Sequence, residues 1–197
     1  MSKLTRDDLY SLEEYSKVRP EFRGKVMEHK KSRKLHLGDH VTLYFEDRLT
    51  MQYQIQEMLR AERIFESEGI QEELDAYNPL IPDGSNLKAT MMVEYSDADE
   101  RKEALAKLIG IDDQIYLQVE GFDKVYPICD EDLERDTDEK TSSVHFMRYE
   151  LSQDMVKALK DGAAMNAGVE HEHYRVDVTP IRQDIRDSLT TDLELGH

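Results

Sequence analysis

The sequence holds one cysteine, Cys129, among 197 residues. A lone thiol forms no intramolecular disulfide and builds neither a CxxC redox motif nor a cysteine-rich zinc site. Long apolar runs are missing as well. No stretch approaches the roughly 18 uncharged residues of a spanning helix, and residues 1–10 lack the apolar centre of a secretion signal. Membrane insertion and export are therefore not expected, and a cytoplasmic location is. Positive charge is scarce: 26 lysines and arginines face 43 aspartates and glutamates, a net −17. The first 40 residues carry +3 and the remainder −20. Such a surface repels a nucleic-acid backbone, whose non-specific affinity comes from phosphate neutralisation, so no nucleic-acid partner is expected. The one basic cluster, Lys30, Lys31, Arg33 and Lys34, reads as a solvated helix end placed near the negative pole of the helix. GxGxxG, the Walker loop, GxSxG and HExxH are all absent.

What is present is a mixture of helical and strand periodicities. A helix is expected over 4–15, with Thr5 as N-cap and Asp8 in a capping-box position. A break at Arg19-Pro20 and a second helix over 20–34 follow, since proline suits a first helical position. Residues 41–46 alternate as a half-buried strand. The longest helical signal runs from 48 to 68 and closes at Gly69; Met51, Ile55, Met58, Leu59 and Phe65 form its apolar stripe, and Glu62 falls within that stripe. A short helix over 71–77, a turn-rich loop over 78–86, a strand over 89–95 and a helix over 96–109 come next. A hairpin is expected between 114–120 and 125–129, then strands over 143–151, 164–169 and 174–178, with a helix starting at Ser152 between the first two of these. Ile181, Ile185, Leu189 and Leu193 mark a terminal helix over about 180–193. Strands and helices without regular βα alternation give an α+β fold, a mixed or largely antiparallel sheet with a long helix packed on it. At this length one domain, helical over about 1–40, accommodates the whole chain and buries roughly 70% of its unfolded surface.

Three segments carry a resemblance. Residues 43–58, centred on Glu46-Asp47-Arg48, residues 73–86 with Asn78-Pro79 and Asp83-Gly84, and residues 138–146 ending in His145-Phe146, together with the Leu4 to Leu9 opening, resemble an uncharacterised bacterial family, domain of unknown function 3501. The likeness spans nearly the whole chain and implies no established activity or catalytic residue. It implies a genomic setting beside rubrerythrin-like iron proteins and iron–sulfur oxidoreductases, hence such partners and a role in redox or peroxide physiology. Around 169–174 the family pattern is closer to Asp-His-Pro-x-Tyr, so His173 departs from it.

Several constellations can carry chemistry. His171 and His173, two apart on a strand, project to one side and form a candidate pair for a divalent metal such as iron, zinc or manganese. Two ligands are too few, so Glu170, Glu172 or a distant carboxylate must join them; an exposed polar turn is the alternative. Glu170 and His173 match half of a di-iron helix motif, but only once. Glu62 on a core face requires a partner, either an arginine or a metal. His145 shares its strand face with Met147, Tyr149 and Leu151, as a hydrogen-bonded core histidine or a base. Glu46, Asp47 and Arg48 lie where a strand gives way to a helix, and a pocket shared with Glu62 and His145 is expected there; Asp47 is equally natural as an N-cap. Asp130, Asp132, Glu134, Asp136 and Asp138 alternate like a calcium loop, yet Arg135 and Thr141 stand where glycine and glutamate belong, so a solvated loop is expected. Cys129 reads as buried and inert, its thiolate disfavoured by Asp130, Glu131 and Asp132.

These features support an accessory metal-, ligand- or partner-binding protein of a redox system. Two alternatives stand beside it: an enzyme with a site assembled from Glu46, Asp47, Arg48, Glu62 and His145, or an interaction module, with a homodimer as one form.

Overall fold

The computed structural model describes residues 1–196. Its first regular helix, α1 (Leu12–Lys30), starts at Ser11, whose side chain accepts the Glu14 amide while Glu14 reaches back to the Ser11 amide. The Thr5–Asp8 capping box expected to open a helix is formed, but it closes only a 3-10 turn, Arg6–Asp8. Pro20 does not divide α1. An interior proline costs about 3 kcal/mol through its missing N–H and ring clash. Tertiary contacts on both sides of it offset that cost: Tyr15 and Val26 are fully buried, and Tyr15 and Arg19 both bind Glu57 of the next helix, at 2.6 and 2.8 Å.

Beyond α1 the expected helix gives way to strand β1 (Lys34–Leu37), whose Leu35 and Leu37 enter the core. It turns through Gly38, at φ +75°, into β2 (Val41–Glu46); a Cβ there would meet the Tyr174 hydroxyl at 2.6 Å. β2 pairs with β3 (Asn86–Val93), β3 with β6 (Val144–Glu150), and β6 with the short β5 (Ile128–Cys129), giving an antiparallel sheet of order β1-β2-β3-β6-β5. A second antiparallel sheet has the order β4-β7-β8, from Ile115–Val119, Met165–His171 and Tyr174–Val178. The hairpin expected over 114–129 survives as one bridge, Leu117 to Val125, because β4 takes β7 as its partner and β5 joins the other sheet.

The inner face of the first sheet, including Leu43, Phe45, Met91, Met147 and Tyr149, packs on Leu117, Ala167 and Val169 of the second. Val156 and Leu159 of α5 (Gln153–Lys160) and Ile185 and Leu189 of α6 (Gln183–Thr190) complete that core. α6 is shorter than 180–193, yet Ile181 and Leu193 are buried with it.

A smaller apolar cluster, with Met51, Ile55, Leu59 and Leu74, joins α2 (Arg48–Ala61) to α3 (Ser67–Tyr77). α2 ends seven residues before the expected 68. Ile64 N–H bonds Leu59 O at 2.9 Å and Arg63 N–H bonds Arg60 O at 3.4 Å, with Arg63 at φ +53°. This is a Schellman stop with arginine in the position that usually takes glycine. Phe65 consequently leaves the core and is 73% exposed. α4 (Ala98–Lys107), capped by Asp97, links the two sheets in sequence. The architecture is α+β, with largely antiparallel sheets and one long helix. Among the described residues no helix is long and apolar enough to cross a membrane.

Candidate metal centre

Three separate segments bring titratable side chains together at one end of the core. Asp112 begins a 3-10 turn before β4, Cys129 ends β5, and His145 lies on β6 facing inward, fully buried. Asp130 follows Cys129 at φ +50° and is clamped to β6 twice: its N–H bonds Phe146 O at 2.8 Å, and its Oδ1 accepts Phe146 N–H at 2.9 Å. That clamp aims Asp130 Oδ2 at His145 Nδ1, 2.5 Å away.

The orientation of the imidazole follows from its other nitrogen. His145 Nε2 faces Thr141 Oγ1 at 2.8 Å and the Ser142 carbonyl at 3.2 Å. The Thr141 hydroxyl proton goes to Asp136 Oδ1, so Thr141 Oγ1 accepts from the ring, as the carbonyl must. Nε2 therefore carries the proton, and Nδ1 points at Asp130 and, at 3.7 Å, at Asp112 Oδ2. An imidazole lone pair facing two carboxylates requires a positive species between them, either a second ring proton or a metal ion. Fixing one nitrogen of a histidine through an outer acceptor while presenting the other to carboxylates is the usual dress of a metal-ligating imidazole.

Asp112 is 7% exposed, and its Oδ1 has no hydrogen-bond partner. Burial pushes its carboxyl pKa up; the His145 charge opposes this, and Asp113 and Asp136 add to the rise. The Cys129 thiol is pushed up by burial and by Asp112, Asp113 and Asp130. One donor atom each from Asp112, Asp130 and His145 lie within 4.8 Å of one another, and so do one each from Asp112, Asp113 and Cys129. The two sets share Asp112. Metal–ligand bonds of about 2.1 Å place adjacent donors roughly 3.0–3.4 Å apart, and the contacts of 2.5 and 3.7 Å from Nδ1 bracket that edge. The cluster opens on a cleft of about 480 Å³ walled by Glu131, Asp132 and Glu134, with Arg135 bound to Asp130 and Asp132 as its cation.

A family model described as a protein of unknown function (DUF3501) matches residues 3–193. The chain belongs to this family. A crystal structure of a novel protein of unknown function from Burkholderia pseudomallei is 51% identical, with a TM-score of 0.93 over 98% of this chain and 100% of that one. No curated protein matches.

This DUF3501 chain distributes the residues singled out from its sequence differently from the expectation. Glu46 and His145 occupy opposite faces of the first sheet. Glu46 lies with Thr90 on the outer face, where Thr90 pairs with Phe146, whereas His145 pairs with the core residue Met91. Asp47 caps α2, accepting Thr50 N–H at 2.9 Å, and binds His29 at 2.5 Å. Arg48 pairs with Asp8 at 2.7 Å. Glu62 is exposed at the C-cap of α2, because the helix stops before its stripe reaches it.

His171 and His173 lie side by side, with ring centroids 5.8 Å apart. His171 Nδ1 accepts His173 N–H at 3.1 Å and its Nε2 meets the Ile109 carbonyl at 3.0 Å, which leaves no lone pair for a metal. Glu170 is bound by Lys124 and Tyr126. Of the acidic run expected to be solvated, Asp130 and Asp136 turn inward and belong to the cluster. Asp112 and Asp113 carried no sequence signal beyond their adjacency. Of the carboxylates read as unfavourable to a Cys129 thiolate, Asp130 raises the thiol pKa in the structure, together with Asp112 and Asp113.

Proposed function

We propose that this protein binds one divalent cation through Asp112, Asp130 and His145, with Asp113 and Cys129 as further donors. The observation that carries this reading is a buried, hydrogen-bond-fixed imidazole whose second nitrogen faces two carboxylates, one of them with a buried oxygen that has no hydrogen-bond partner among the described residues. Burying carboxylates without a compensating charge is costly, and a cation removes that cost. Oxygen and imidazole donors with one sulfur suit iron(II), manganese(II) or zinc(II). The acidic cleft supplies an entry path and a field that concentrates cations.

The protein then serves as a metal-binding accessory component of a redox or peroxide-response system. Its family resemblance points to rubrerythrin-like or iron–sulfur proteins as partners. A second reading, a metal-dependent enzyme, is favoured by one observation: Asp112, Asp130 and His145, taken without Asp113 and Cys129, are three donors beside an open cleft and leave a coordination position for water, as catalytic rather than structural sites do.

Titration of untagged, metal-free protein with Co²⁺, followed by its visible absorption, tests the site. One equivalent per chain is expected, lost in His145→Gln. Absence of binding, or binding that survives both His145→Gln and Asp112→Asn, refutes it.

A further inference from the structure

The outer face of the first sheet and the helices α1 to α3 enclose a cavity of about 420 Å³, across the sheet from the metal cluster. That volume falls in the range of small-molecule sites, roughly 300–1,000 Å³. Its walls are aromatic and apolar, with Tyr44, Tyr77, Phe146, Met51 and Met92 prominent. One carboxylate, Glu46, enters among them from the last position of β2. It accepts Thr50 Oγ1 at 2.6 Å and Thr90 Oγ1 at 3.1 Å. A carboxylate offers about four acceptor positions, so two hydroxyls leave half of its capacity unused.

Among the described residues no cation takes up that capacity. Among the described residues Glu46 forms no salt bridge. The Arg33 guanidinium lines the same cavity, but its donors go to Asp192, to Ser188 and to the backbone carbonyls of Phe45 and Glu46. The Lys30 ammonium stands over the Tyr53 ring, 5.3 Å from its centre. Burial pushes the Glu46 carboxyl pKa up, against the two hydroxyl bonds and the Lys30 charge. A half-buried carboxylate among aromatic faces is the complement of an organic cation, since ring quadrupoles and the carboxylate both attract positive charge.

We propose that this cavity binds a small organic ammonium compound, an alkyl- or arylamine whose N–H groups donate to Glu46 while its apolar body packs on Tyr44, Phe146 and Met92. A neutral ligand leaves the carboxylate without a cation, and an anionic one is repelled by it. The site is independent of the metal cluster.

Benzylamine, benzyl alcohol and benzoate share one ring and differ in charge, so calorimetric titration of the whole protein with each reads the preference directly. Benzylamine is expected to bind at least about tenfold more tightly than benzyl alcohol, with benzoate weakest. Glu46→Gln is expected to erase the difference between amine and alcohol. Val144→Phe, which fills the cavity and leaves Glu46 in place, is expected to abolish both, and it decides the matter if Glu46→Gln does not fold. Both variants should keep their Co²⁺ equivalent, which separates failure of this site from failure of the metal site. Three results overturn the proposal: no benzylamine binding by the wild type, a preference for benzoate that assigns the cavity to anions at Lys30, or amine binding unchanged in either variant.

Discussion

Asp112→Asn is expected to stabilise the metal-free protein and to weaken metal binding, two effects that a purely structural aspartate would not combine. Asp112 is 93% buried, and its Oδ1 has no hydrogen-bond partner among the described residues. An unsatisfied buried polar atom costs about 1–3 kcal/mol, and an amide at the same place can donate to the neighbouring Asp113. For a chain of this length each kcal/mol moves Tm by roughly 2–4 °C, so the variant should melt about 2–12 °C higher without metal. The folded-state pKa of Asp112 lies above its ordinary value because burial disfavours the charge. The native state then holds a proton that the unfolded state has lost, so wild-type stability falls as pH rises through the folded pKa. The advantage of the asparagine therefore grows as pH rises through the folded pKa and shrinks as pH falls toward the ordinary, unfolded value. With metal at a hundred times its Kd the wild type gains about 2.7 kcal/mol, which offsets most or all of the asparagine's advantage of about 1–3 kcal/mol. Affinity should drop by more than the roughly 10–100-fold cost of losing an outer-shell partner. Differential scanning calorimetry across pH, with and without Zn²⁺, reads all of this. An asparagine variant that is less stable without metal, or that is stabilised by Zn²⁺ as much as the wild type, refutes the reasoning.

Arg33 and Asp192 are 2% exposed each and bonded at 2.6 Å; Arg33→Met should lose about 3–5 kcal/mol, and the double variant Arg33→Met, Asp192→Leu should recover most of it. Urea denaturation checks this, and additive losses would contradict it. Glu62→Gln should leave stability within about 0.5 kcal/mol and metal content unchanged, because the side chain is exposed; a clear drop in either measurement restores a buried role. His173→Ala should keep full metal stoichiometry by elemental analysis, since the protein uses this residue through its backbone N–H; loss of metal would return the site to the 171–173 turn.

Local patterns were legible where local physics decides. The strand over 41–46 coincides with β2, and Ser152 and Asp47 cap the helices they precede. Family membership was carried by contiguous segments and is shown across residues 3–193. Helix ends were less legible. Arg63 closes α2 in a left-handed conformation for which a sequence offers no glycine, and Pro20 stays helical because Glu57, 37 residues away, holds Tyr15 and Arg19. The site was least legible because its members converge only through strand pairing. Asp130 reaches His145 because β5 pairs with β6, and Asp112 arrives because β4 turns to the second sheet. The same register decides the separation of Glu46 from His145. Alternation along β2 and β6 assigns two faces to each strand, but only the Thr90–Phe146 and Met91–His145 pairing says which faces coincide.

The most direct measurement of the metal site is anomalous diffraction from crystals of the untagged protein equilibrated with Mn²⁺ or Zn²⁺. One strong peak per chain is expected within bonding distance, about 2.0–2.2 Å, of His145 Nδ1 and of carboxylate oxygens of Asp112 and Asp130. No peak there, or a peak at His171 and His173 instead, would contradict it.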